Sequence, residues 1–178
     1  LVDQQRRQFE RSSEHCRAFA KKFSRSELAP RIAFIDAENE FLAGSYERAV
    51  TAYSDYQRTY PSDSMQSKAE LRIGLALQQL NKPDDALPHL VKAASGLDQD
   101  KTMLPAVLAL GDISFERSEW KAASEKFQQF IAVSSAESSG VDDAMLKLGL
   151  AQARLNLFED ALKSFDALLE RFPQSPHR

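Results

Sequence analysis

The residues of this chain best suited to chemistry are three histidines, one cysteine and two adjacent pairs of aspartates. Their spacing works against every use. His15, His89 and His177 lie far apart, whereas a zinc site draws three or four ligands from close, regular spacings. No metal site is expected. The pair Glu14-His15 lacks the second histidine of a zinc-protease helix motif. Asp84-Asp85 and Asp142-Asp143 could bind magnesium or act as an acid and a base. Each pair, however, stands where a helical pattern begins, and there carboxylates cap free amides and complement the helix dipole. The lone Cys16 excludes an internal disulfide. The six glycines form neither a Gly-x-Ser-x-Gly elbow nor a phosphate-cradling loop. The expectation is a chain with no catalytic residue, no cofactor-binding residue, no cofactor and no enzymatic activity.

The elements that would position any functional residue are helices arranged in repeats. A small residue followed four positions later by a bulky one occurs at Ala49/Tyr53, Ala86/Leu90, Ala123/Phe127 and Ala161/Phe165, with the alanines 37, 37 and 38 apart. Twelve positions before each alanine stands a second small residue: Ala37, Gly74, Gly111 and Gly149. Two helices joined by a short turn need such slots where their backbones cross, because larger side chains would force them apart. Three positions before each alanine, Tyr46, Pro83, Trp120 and Phe158 mark the entry to a second helix. The turns fall at Gly44-Ser45, Asn81-Lys82, Arg117-Ser118 and Leu155-Asn156, and units close at Tyr60-Pro61-Ser62 and Phe172-Pro173-Gln174-Ser175, where proline cannot continue a helix. The aromatics Tyr53, Trp120, Phe127, Phe130 and Phe165 recur at fixed phases, as core residues do. Phe34, Ile35, Phe41 and Leu42 fit this phase poorly and leave the register of the first unit open.

Carried backward by 37, the same phase turns Tyr46, Ala49, Tyr53 and Tyr56 into Phe9, Ser12, Cys16 and Phe19. The N-terminal helix therefore reads as the second helix of a partial unit, and the chain is expected to be a piece of a longer array. The serine-rich stretch 134–140 is expected to be a mobile connector. The last helix carries Phe158, Leu162, Phe165, Leu168, Leu169 and Phe172, an apolar set wider than one preceding unit can cover. That width suggests self-association through the C-terminal end.

With 178 residues, 43% of them hydrophobic, the chain suffices for one domain. A formal net charge of -3 argues against nucleic acid as the main partner. No window approaches a spanning helix of about 18 apolar residues. Residues 1–31 hold eight Lys/Arg against four Asp/Glu, so Arg6, Arg7, Arg11, Arg17, Lys21, Lys22 and Arg25 form a basic run able to meet an acidic partner or to remain a solvated face.

Leu110-Gly111 with Ala123 and Phe127, and Leu148-Gly149 with Ala161, Phe165 and Pro173, resemble the tetratricopeptide (TPR) repeat. The resemblance implies an all-α, right-handed superhelical solenoid of antiparallel helix pairs, one domain over 1–178. It would comprise a partial repeat at 1–30 and full repeats at 31–62, 63–98, 99–138 and 139–176. It also implies a scaffold or adaptor that binds a partner protein or peptide along its first helices, which line the inner face of such arrays. On this chain that face would hold Lys68, Arg72, Gln79, Asp112, Glu116, Lys147, Leu150 and Arg154. Family members that clamp a C-terminal carboxylate use Lys and Asn there. Glu38, Leu75, Asp112 and Leu150 occupy the asparagine position here, which speaks against that use. The period exceeds the family's usual value of about 34, and the surplus falls between Pro61 and Gly74. This phrasing is similar to bacterial cell-envelope members such as the Tol-Pal system TPR protein and the assembly lipoprotein BamD. The alternative expectation is thus a structural unit of an envelope complex, periplasmic or outer-membrane-associated.

Overall fold

The computed structural model describes residues 2–135 and 138–176, with side chains described at 5 and from 7 onward. These residues form nine α-helices and one 3-10 turn, with no strand among them. They group into two compact units, one ending at Gly96 and the other beginning at Leu97. The first holds α1 (Val2–Lys22), α2 (Ala29–Leu42), α3 (Tyr46–Thr59), α4 (Gln66–Gln79) and α5 (Pro83–Ala94). The second opens with the 3-10 turn Lys101–Met103 and holds α6 (Leu104–Glu116), α7 (Trp120–Val133), α8 (Val141–Arg154) and α9 (Phe158–Arg171).

Local sequence sets both ends of these helices. Tyr46, Pro83, Trp120 and Phe158 are each the first residue of a second helix. Pro83 sits where its missing N–H costs nothing, and Pro30 and Pro105 likewise open α2 and α6. Asp84, Asp85, Asp142 and Asp143 lie in the first turns of α5 and α8, where the helix dipole favours negative charge. All four hairpins close alike. The amides of Ser45, Lys82, Glu119 and Leu157 donate back five residues to the carbonyls of Glu40, Leu77, Ser114 and Gln152, each at 2.9 Å. This closure needs one left-handed residue just past the helix. Gly44, Asn81, Ser118 and Asn156 supply it, with φ of 73°, 56°, 61° and 61°.

Within each unit a helix packs on its neighbours in sequence, and first helices also touch first helices: α2 meets α4, and α6 meets α8. The small slots lie in these crossings. Ala37, Ala49, Ala86 and Ala123 have no exposed surface. The nearest neighbour of each glycine slot is the bulky residue four positions after the facing alanine. A Cβ at Gly74 would stand 2.6 Å from the Leu90 side chain, and one at Gly111 would stand 2.8 Å from the Phe127 ring. Phe34 fixes the register of the first full hairpin. It is buried and meets the rings of Tyr53 and Tyr56 edge-on, each with a centroid separation of 5.4 Å, while Leu42 turns outward. Cys16, the counterpart of Tyr53 by phase, is buried like it, and α1 packs on α2. In the serine-rich connector between α7 and α8, Ala136 and Glu137 lie outside the described residues, as does His177.

Candidate functional site

The first helices present two ion-paired constructions, one in each unit, built from residues on successive hairpins. In the first unit Glu38 of α2 and Arg72 of α4 meet as a fork, with Arg72 Nε 2.6 Å from Glu38 Oε1 and the terminal nitrogen 3.1 Å from Oε2. The hydroxyl of Tyr53, on α3, donates to the same Oε1. Beneath the fork the Arg72 guanidinium lies 4.8 Å from the Phe41 ring centroid. Burial works against the charge on Arg72, but the facing Glu38 outweighs it and holds the guanidinium above its ordinary range. Burial also pushes the Tyr53 phenol up, with the Glu38 carboxylate adding to it, so the tyrosine stays a neutral donor.

The second unit repeats the scheme with different letters. Lys147 Nζ, on α8, lies 2.7 Å from Asp112 Oδ1 on α6 and 2.6 Å from Asp143 Oδ2 one turn earlier on its own helix. Lys147 and Asp112 are about three-quarters buried. Burial opposes the ammonium, yet the hydrogen bonds it donates to Asp112 and Asp143 outweigh burial and raise its pKa above the usual lysine range. Beyond the pair, Leu150 is 41% exposed, and the Arg154 guanidinium lies 5.8 Å from the Trp120 ring centroid.

Of the groove residues named from the sequence, Asp112 and Lys147 come together directly, and Arg72 is tied to Glu38. Lys68 is half-buried, whereas Gln79, Glu116, Leu150 and Arg154 are exposed. Sequence reasoning missed the pairing itself. The signal was an acid followed by a base 34 or 35 positions later, at 38 and 72 and at 112 and 147, a separation just under one repeat. It also missed two buried acids. Glu40 takes Arg17 at 2.5 Å and Arg48 at 2.9 Å, while Glu70 takes His89 at 2.6 Å and Lys92 at 2.5 Å. Arg17 therefore leaves the basic run of α1, since Asp36 and Glu40 both engage it. Arg7, Arg11, Lys21, Lys22 and Arg25 are exposed, and the Arg6 side chain lies outside the described residues.

Among the described residues no group of three or more His, Cys, Asp or Glu side chains is placed to hold a metal ion, and no helix is long and apolar enough to cross a membrane.

Residues 108–176 match the tetratricopeptide repeat family model, and that segment lies within the second unit. No curated protein matches the chain. Among solved structures, MamA 41-end from Desulfovibrio magneticus RS-1 is 19% identical with a TM-score of 0.69, over 98% of this chain and 97% of that one. BtubC (BKLC) from P. vanneervenii is 12% identical with a TM-score of 0.67, over 96% of this chain and 91% of that one. The C-terminal part of a TPR repeat-containing protein from Cytophaga hutchinsonii is 18% identical with a TM-score of 0.67, over 97% of this chain and 64% of that one. The chain thus has the fold of tetratricopeptide-repeat proteins, and its residues 108–176 carry that family's sequence pattern.

Proposed function

We propose that this chain is an interaction scaffold that binds a partner protein or peptide along its first helices, without enzymatic activity and without a cofactor. The supporting observation is that the charges on those helices are neutralised between successive hairpins, Glu38 by Arg72 and Asp112 by Lys147. Each pair holds the first helices of its own unit in one geometry before any partner arrives, which lowers the ordering cost of binding. In the first unit Gln79 is exposed as a contact group and Lys68 is half-buried, and in the second Glu116, Leu150 and Arg154 are exposed. A partner suited to the second unit would bring an apolar side chain to Leu150 and an acidic or carbonyl oxygen to Arg154. We further read the chain as one domain over 1–178, with repeats at 31–62, 63–98, 99–138 and 139–176 after a partial one at 1–30.

The test is site-specific photocrosslinking in cells of the source organism, with the reactive residue placed at Leu150 or Gln79 and, as controls, at the exposed Glu125 or Val91 on second helices. Adducts at the first pair and not at the second support the reading. Adducts confined to the control positions overturn it.

A second reading rests on the connectors. Tyr56 donates to Asp63 at 2.5 Å, Asp63 accepts the Met65 amide at 2.9 Å, and Ser175 donates to Asp142 at 2.7 Å. These bonds give the long segments a fixed shape, in keeping with the longer period seen in bacterial envelope members. On this reading the chain is an assembly unit in the periplasm or at the outer membrane. Fractionation of the source cells decides it, since recovery in the cytosol alone would remove it.

A further inference from the structure

α9 is where interior positions of the repeat reach the surface. Phe158, Leu162 and Leu169 are 61%, 62% and 49% exposed. Their equivalents are half-buried on α3 at Tyr46, Val50 and Gln57, and buried or half-buried on α7 at Trp120, Ser124 and Ile131. The difference has a simple cause: within their units α3 is covered by α4 and α7 by α8. At 100° per residue, Phe158, Leu162, Phe165 and Leu169 fall in one strip along α9. Glu159, Asp166 and Glu170 follow one edge of it, all three exposed. α9 carries four acids (Glu159, Asp160, Asp166, Glu170) against two bases (Lys163, Arg171), a net charge of −2.

The opposite features stand on the other unit. An open cleft of about 530 Å³ runs along α1, with Cys16, Phe19 and Ile32 as its apolar floor and Arg11 and His15 among its polar lining. Arg7 and Lys22 fall on the same edge of the helix as Arg11, with the acid Glu14 beside Arg7, and all four are exposed, so the edge carries three bases against one acid. α1 holds six bases (Arg6, Arg7, Arg11, Arg17, Lys21, Lys22) against three acids (Asp3, Glu10, Glu14), a net charge of +3.

We propose that the acid-edged strip of α9 in one copy of this chain docks in the base-edged cleft on α1 of a second copy, head to tail. Burial of Phe158, Leu162 and Leu169 provides the attraction, and the opposite charges set the partner and the orientation. Symmetric pairing of two α9 strips is disfavoured because it sets Glu159, Asp166 and Glu170 against their own copies. A head-to-tail contact leaves a strip and a cleft at the two ends of every assembly, so growth continues past the dimer unless a ring closes. None of the first-helix contact residues named above takes part, and the inference stands whether or not they bind a partner.

The experiment is sedimentation velocity on the 178-residue chain over a concentration series, with two variants. Leu162→Glu puts a charge in the strip, and the double change Arg11→Glu with His15→Glu reverses the cleft edge. All three positions are exposed, so unchanged circular dichroism and melting certify the fold of each variant. The wild type should grow in mass with concentration, and each variant alone should stay monomeric. An equimolar mixture of the two should form a dimer and stop there, because only one intact strip and one intact cleft remain per pair. A wild type that stays monomeric throughout, a mixture that stays monomeric, or a cleft variant that still dimerises through α9 would overturn the proposal.

Discussion

Glu70 shows at the scale of one residue how this chain tolerates a buried charge. Its side chain is 5% exposed, yet it faces both His89 and Lys92 from the next helix. Burial would raise its pKa, but the hydrogen bonds from Lys92 and His89 outweigh burial and hold the carboxyl below its usual value. A carboxyl depressed in the folded state adds stability that is present above its unfolded pKa and lost as pH falls through the folded one. The loss therefore begins below the ordinary carboxylate value of 4.5 and deepens with further acidification. Glu70→Gln should lower stability by about 1 to 3 kcal/mol at neutral pH and flatten the acid limb of a plot of melting temperature against pH. An unchanged acid limb would show that another group controls it.

The glycine slots give a second test at this scale, and the neighbour decides the outcome. Adding a methyl in a helix interior gains up to about 1 kcal/mol in propensity, while overpacking costs about 1 to 3 kcal/mol. At Gly111 the new Cβ would meet the ring of Phe127, which has no exposed surface and nowhere to move. At Gly149 it would meet Phe165 at 2.4 Å, a closer approach, but that ring is half-buried on the uncovered helix α9. Gly111→Ala should therefore destabilise by about 1 to 2 kcal/mol and Gly149→Ala by less, as measured by chemical denaturation. The reverse order would mean that the α9 face is packed tightly in solution.

At the scale of the element, the four hairpin turns share one closure and differ in the residue that adopts the left-handed conformation. Glycine does so freely at Gly44, and asparagine tolerates it at Asn81 and Asn156, but Ser118 gains no such relief. Ser118→Gly removes a strain of about 1 to 2 kcal/mol and adds unfolded-state freedom of about 0.4 to 1 kcal/mol. The net is a stabilisation near 0.5 to 1 kcal/mol, or about 1 to 4 °C in melting temperature for a chain of this size. A fall in melting temperature would mean that the serine makes a compensating contact. The ion pairs behave differently. Asp112→Ala should cost less than about 1 kcal/mol, because Lys147 keeps Asp143. Lys147→Met removes the charge that Asp112 and Asp143 share and should cost more than Asp112→Ala.

For the whole molecule, the two compact units set the expected unfolding behaviour. Repeat arrays are held by nearest-neighbour contacts, so their unfolding need not be one cooperative step. Trp120 is the single tryptophan and lies in the unit that begins at Leu97, whereas far-ultraviolet circular dichroism sums over all nine described helices. Guanidinium titrations followed by the two signals should give different midpoints. Coincident curves would show instead that both units unfold together.

Periodicity alone determined a large part of this protein: the helical class, the hairpin unit, the small slots, the helix entries at Tyr46, Pro83, Trp120 and Phe158, and the helix-opening role of the paired aspartates. These are local properties, set by spacing along one helix or across one short turn, and the sequence carries them directly. The wide apolar strip of α9, with Phe158, Leu162, Phe165 and Leu169, was legible for the same reason. What the tertiary structure decided is which side chains meet across helices. The residues Glu38 and Arg72 are 34 positions apart, Asp112 and Lys147 are 35 apart, and Glu70 and His89 are 19 apart. Their meeting depends on rotation and offset between neighbouring helices, to which a count along the chain is blind. The same reason explains why Arg17 reads as part of a basic face in sequence and proves to be committed to Asp36 and Glu40. Charge at a position is a property of the letter, whereas its availability is a property of the packing.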